Sequence, residues 1–144
     1  MRISTKGRYG VAVMASLAER AGQQQTAVDV AKKLGISKIY LEQVLSLLKN
    51  AGLVQSVKGS QGGYFLDAAA DKITVLEILR ATETGLFERT ELGLDESSAY
   101  IERAINNTVW TPLDKTLAAF LGGITLQAIL DNSKTQGAGY MFYI

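Results

Sequence analysis

Ser37, Lys38, Tyr40, Glu42 and Gln43 bring a hydroxyl, an ammonium, a phenol, a carboxylate and a carboxamide together within one short stretch. Such a set supplies hydrogen-bond donors and acceptors, which suits contact with phosphates and base edges better than it suits bond-making. Further on, Lys58, Ser60 and Gln61 add donors, and Gly59, Gly62 and Gly63 let the backbone approach a surface closely. Covalent chemistry has few carriers here. The 144 residues include no histidine, which removes the commonest general base and metal ligand, and no cysteine, which removes disulfides, thiolate-held zinc and iron–sulfur clusters. An enzyme built on Glu42 with a tyrosine is the remaining catalytic reading, and nothing in the pattern places that carboxylate in a pocket.

These residues need elements to hold them. Ser37 is placed to cap a helix in which Ile39, Leu41, Val44, Leu45, Leu47 and Leu48 recur at helical spacing and are expected to bury one face. Lys38, Tyr40, Glu42, Gln43 and Ser46 then fall on the other. Gly52 ends that helix. Leu53 to Lys58 reads as a strand, Gly59 to Gly63 as a turn and Tyr64 to Leu66 as the return strand. Upstream, Thr26 starts a short helix with Asp29 three residues on and with Val28, Val30, Ala31 and Leu34 on its core side. Only Gly35 and Ile36 separate it from the Ser37 helix, the spacing of a helix-turn-helix. A hairpin following at once makes this a winged helix, and the expected function is double-stranded DNA binding. The glycine-rich turn could instead cradle a nucleotide phosphate. No Gly-Lys-Ser or Gly-Lys-Thr follows and no helix opens after it, which argues against that. Gly62 and Gly63 could also serve turn geometry alone.

Charge divides the chain in the same place. Residues 1–66 hold nine Lys or Arg against three Asp or Glu, a net +6, whereas residues 67–144 hold six against eleven, a net −5. A basic half beside an acidic one fits one part meeting phosphate and another meeting protein, although a merely solvated pattern would look alike. Lys6 and Arg8, with Arg2 just before, lie at the start of a first helix capped by Ser4 or Thr5. Cations there oppose the helix dipole, so a nearby phosphate would compensate them; the bland alternative is plain solvation. Tyr9, Val13, Met14, Leu17 and Ala18 form the apolar face of this helix, which should run to about Ala21 and stop at Gly22.

Beyond the polar linker Asp67 to Lys72, Ile73 to Ala81 reads as a helix, Gly85 to Asp95 as a loop, and Ser97 or Ser98 as the start of another helix. Thr111, Pro112 and Asp114 look like a fresh helix start, and a short helix should follow Gly123. The fold class expected is mainly α with a small β-hairpin: a winged helix-turn-helix over 1–82, dimerisation helices over 83–136, and an apolar tail over 137–144. These later helices are too apolar to stand alone, so a homodimer is expected. The tail ends in Tyr140, Met141, Phe142, Tyr143 and Ile144. It should pack on its own dimer or enter a pocket of a partner, with the Ile144 carboxylate held by backbone N–H groups. Apolar content of 47% without an apolar run long enough to span a bilayer, and a start without an apolar signal core, point to a cytoplasmic protein with no membrane contact.

The opening MRISTKGRYG, the segment ISKIYLEQ, the run LLKNAGLVQSVKG and the hairpin QGGYFL resemble the bacterial winged-helix regulators typified by IscR, NsrR and CymR. The resemblance implies a dimeric transcription regulator, usually a repressor, with its recognition helix in the major groove of an imperfect palindrome and its wing in the minor groove. It carries DNA contact to Ser37, Lys38, Tyr40, Gln43, Lys58 and Gln61, and base preference to Glu42, whose carboxylate can accept from cytosine. Ile39 stands where serine is frequent and Lys58 where arginine is, so readout there should differ. Cluster-binding members carry three cysteines in the region matching Gly85 to Tyr100; this chain has none, and no cofactor is expected. The ending YMFYI resembles the cluster-free cysteine-metabolism repressor, which implies cysteine synthase as a partner. A protein-interaction scaffold that never reads DNA is the alternative.

Overall fold

The computed structural model describes residues 2–89 and 91–141, the last four through their backbone. Helix α1 (Thr5–Ala18) is capped by Ser4, whose side chain accepts the Gly7 N–H. It buries Val13, Met14, Leu17 and Ala18 and leaves Tyr9 half-buried. The helix stops three residues short of the expected Ala21. Gln25 explains the stop, because its buried side-chain amide donates to the Ser16 carbonyl at 3.1 Å and the Leu17 carbonyl at 3.4 Å. Helix-end carbonyls that have no intrahelical partner are thereby satisfied from outside.

Thr26 caps α2 (Ala27–Leu34) by accepting the Asp29 N–H, and Ser37 caps α3 (Lys38–Asn50) by accepting the Tyr40 N–H. Gly35 and Gly52, both with left-handed φ, end these two helices. Leu41, Val44, Leu45 and Leu48 of α3 are fully buried, each contributing about 2 kcal/mol of transfer free energy. Val28 corrects the expectation for α2: it is exposed, whereas Val30 and Ala31 are buried, with Leu34 partly so.

The hairpin pairs β1 (Val54–Val57) with β2 (Gly63–Leu66) antiparallel, Val54 opposite Leu66 and Val57 opposite Gly63. It is anchored at its base. Tyr64 and Gln25 exchange backbone hydrogen bonds at 2.8 and 3.0 Å, so the stretch before α2 acts as a one-residue third strand. Asp67 to Lys72 is shorter of loop than expected, since Ala70–Lys72 forms a 3-10 turn with Ala70 buried.

Helix α4 (Val75–Thr82) packs on α1 and α3. Glu83, just beyond it, accepts the Ser4 N–H at 2.8 Å and so caps the start of α1 from 79 residues away. Of the expected loop Gly85 to Asp95, Gly85 and Leu86 belong to a 3-10 turn (Thr84–Leu86), and residues 87–95 are irregular where described. Then α5 (Ala99–Ile105), a π turn (Asn106–Trp110) and α6 (Thr111–Gly122) follow with helical dihedrals throughout. Thr111 is therefore not a helix cap: its φ and ψ are −64° and −46°. The widened π turn leads directly into Pro112, which has no N–H to donate and would crowd the preceding turn of a regular helix. The last helix, α7 (Leu126–Met141), is 16 residues long rather than short. Its start is docked by Val75 N–H donating to the Ile124 carbonyl and Leu126 N–H donating to the Ile73 carbonyl. Leu126 and Leu130 join the same buried cluster as Val13, Met14, Leu41 and Leu45.

Candidate nucleic-acid interface

Helix α3 stands between two grooves. On the hairpin side, Lys38, Glu42 and Lys49 face Ser56, Val57 and Lys58 across a space of about 450 Å³ that the start of α2 closes. On the α1 side, Ile39, Gln43, Ser46 and Leu47 face Lys6 across about 530 Å³. Glu42 borders both grooves. Lys38, Lys49 and Lys58 thus line one groove beside Glu42, and Lys6 lines the other. Lys38 pairs with Glu42 at 3.6 Å in solvent. Exposed pairs of this kind are worth at most about 1 kcal/mol, so a phosphate can draw the lysine away at little cost.

Of the residues expected to form the site, Ser37 is committed to capping, its Oγ 3.1 Å from the Tyr40 nitrogen. Tyr40 is half-buried and meets Tyr9 edge-on with ring centroids 5.4 Å apart. That pair clamps α3 to α1, at a gain of about 1 kcal/mol. Gln43 is exposed on α3, and Ser60 and Gln61 are exposed at the hairpin tip. Gly62 is part of the turn: its N–H donates to the Gly59 carbonyl, and an added Cβ would lie 2.1 Å from the Val57 carbonyl oxygen. Arg2 is exposed ahead of α1, and Arg8 lines a separate hollow with Thr5, Tyr9 and Ala12. Lys6 alone of these three borders the α3 groove.

Ile39 corrects the sequence expectation. It is 74% exposed and belongs to the outer surface of α3. Lys49 and Ser56 were missed: Lys49 Nζ donates to Ser56 Oγ at 2.7 Å, tying α3 to β1 inside the hairpin-side groove. Lys38, Glu42 and Lys49 are spaced four and seven apart, which places all three on one helical face and could have flagged Lys49. Of the expected partner-binding tail, Phe142, Tyr143 and Ile144 lie outside the described residues, as do the side chains of Tyr140 and Met141.

A helix-turn-helix with a basic two-stranded wing defines a winged-helix DNA-binding protein. The profile of the Rrf2 family, described as an iron-dependent transcriptional regulator, matches residues 3–132, and this chain belongs to that family. It is 37% identical over 145 residues to the HTH-type transcriptional regulator CymR of Bacillus subtilis, covering all of both chains. It is 35% identical to the HTH-type transcriptional regulator IscR of Erwinia tasmaniensis over 93% of this chain and 81% of that one. Among solved structures, CymR, the global cysteine regulator of B. subtilis, superposes with a TM-score of 0.74 at 33% identity, covering 92% of this chain and 98% of the other. IscR of T. potens gives 0.71 at 34% identity, covering 92% and 88%. The protein is a transcriptional regulator homologous to these, in a family that is not one of enzymes.

The family description implies iron. The donors present do not fit a thiolate-held cluster, because the sequence has neither cysteine nor histidine. Among the described residues no three His, Cys, Asp or Glu side chains stand together as a metal-binding group.

Proposed function

We propose that the protein is a homodimeric repressor that binds an imperfect palindrome, with α3 in the major groove and the wing in the adjacent minor groove. The observation that carries this reading is the geometry of α3: an exposed face bearing Glu42, Gln43 and Ser46, flanked on one side by Lys6 and on the other by Lys58 from other elements. Lys6, Lys38, Lys49 and Lys58 supply phosphate affinity, and Glu42 and Gln43 supply base contacts. Residues 1–82 carry these contacts. Residues 83–136 form the dimer, for which the support is an exposed apolar stripe along the π turn and α6: Trp110 at 49% exposure, Leu113 at 53% and Phe120 at 66%. Large side chains at this spacing and exposure are the mark of a protein–protein surface. A twofold dimer would set two α3 helices about one turn of DNA apart. The reading also makes the protein cytoplasmic; no helix among the described residues is long and apolar enough to cross a membrane.

The likeness to the global cysteine regulator of B. subtilis, over the full length of both chains, supports control of cysteine or sulfur metabolism. In this reading the tail 137–144 signals by entering a partner, cysteine synthase, through the Ile144 carboxylate. Deleting Tyr143 and Ile144 should abolish synthase binding and leave dimerisation intact; unchanged synthase binding would refute the partner.

DNA reading itself is tested by selecting binding sites from random duplexes with the whole protein and repeating with Lys38→Ala and Gln43→Ala. Enrichment of an imperfect palindrome, relaxed in the variants, is the expected result. No enrichment at low salt, with or without cysteine synthase present, would leave the interaction scaffold instead.

A further inference from the structure

We infer that Ile39 reads the 5-methyl group of a thymine in the major groove and so sets base preference in this chain. The inference rests on the DNA-binding reading above and names what one residue recognises. A lone exposed aliphatic side chain ordinarily means little. The position of Ile39 is what gives it weight. At about 100° per residue, Ile39 lies roughly 170° around α3 from the mean direction of the buried residues Leu41, Val44, Leu45 and Leu48. It therefore points straight out from the core, in the stretch of a recognition helix whose N-terminal residues reach base edges. It is the second residue of α3, directly after Lys38, and shares its groove with Gln43, Ser46 and Lys6.

Glu42, Gln43, Ser46 and Lys6 are polar or charged and can exchange hydrogen bonds with base edges or pair with phosphate. The other apolar residue of the groove, Leu47, is half-buried and about two turns further along the helix, so Ile39 is the exposed aliphatic side chain at its N-terminal end. In the major groove, thymine is distinguished by its O4 acceptor together with its C5 methyl, and an apolar contact is what senses the methyl. Isoleucine suits that contact because its β-branch restricts χ1, so its methyls are held in place before binding. The Ser37 cap fixes the turn that carries it.

The test begins with the duplex selected by the whole protein. Each thymine is replaced in turn by deoxyuridine, which removes only the methyl and leaves pairing intact. Wild-type protein should lose about fourfold in affinity at one thymine of each half-site, the equivalent of one buried methyl. Ile39→Ala should bind the thymine and uracil duplexes equally at that position while keeping the wild-type slope of log affinity against log salt, because no phosphate contact is lost. Ile39 is exposed, so the variant should melt with the wild type. The inference is overturned if no thymine is methyl-sensitive, or if the sensitivity survives Ile39→Ala. A wild-type protein that selects no duplex at all would overturn the DNA-binding reading, and this one with it.

Discussion

Replacing Gly63 by alanine probes how the wing is held to the helices. Gly63 has φ of +158°, and a Cβ built on it would lie 2.7 Å from the Gln25 carbonyl oxygen and 2.9 Å from the carbonyl carbon. Both are backbone atoms with no side-chain freedom to yield, so β2 would have to retreat by about 0.7 Å to reach ordinary contact at 3.4 Å. The next residue, Tyr64, exchanges two backbone hydrogen bonds with Gln25, at 2.8 and 3.0 Å. A shift of that size breaks them. At about 1 kcal/mol each, the loss is about 2 kcal/mol, or about 6 °C in Tm for a chain of this length. Thermal melting by circular dichroism gives the first number, and hydrogen exchange at the Tyr64 and Gln25 amides shows where it arises. DNA affinity should fall as well, because the hairpin that carries Lys58 is no longer held against the stretch before α2. A Tm within about 1 °C of wild type with unchanged exchange at Tyr64 would refute the anchoring argument.

Leu126→Ala should cost about 2–5 kcal/mol in urea unfolding although the residue is remote in sequence from the DNA-binding half, because its side chain is fully buried in the core that α7 shares with α1. Leu113→Asp combined with Phe120→Asp should yield a folded monomer in sedimentation velocity, with operator affinity lost alongside the dimer. Lys58→Ala should make the plot of log affinity against log salt shallower by about 1 per subunit, whereas a wing that does not touch phosphate would leave the slope unchanged.

The elements with local punctuation were legible in the sequence. Thr26 and Ser37 cap as their types suggest, and Gly35 and Gly52 stop their helices, so the helix-turn-helix and hairpin fall where the pattern puts them. Errors arose where a distant contact or helical phase decides. Ile39 fits the run of apolar residues at helical spacing, yet its own phase around the helix opposes that of the buried leucines. The end of α1 depends on the side chain of Gln25, a contact that leaves no periodic signal, whereas its beginning falls at the Ser4 cap as expected. Thr111, Pro112 and Asp114 carry every mark of a helix start, yet a π turn lets the chain pass through them without leaving the helix. Lys49 was passed over because a basic residue in a last helical turn already has a reason to be there, the helix dipole.

The burial of Leu126 and Leu130 in the first core bears on how the protein is made. A ribosome that has just added Thr82 has delivered every residue of the helix-turn-helix and wing, but not the side chains that close their interior. At about 5–20 residues per second, the stretch up to Leu130 takes a few seconds more to synthesise. During that interval the reading head is an open shell, its underside uncovered and α1 still lacking the Glu83 cap until the chain has just passed α4. By the time it closes, α5 and α6 have already been translated. On the proposed reading, a nascent chain thus acquires the helices that would pair it with a second copy before the core beneath its DNA-binding half is closed.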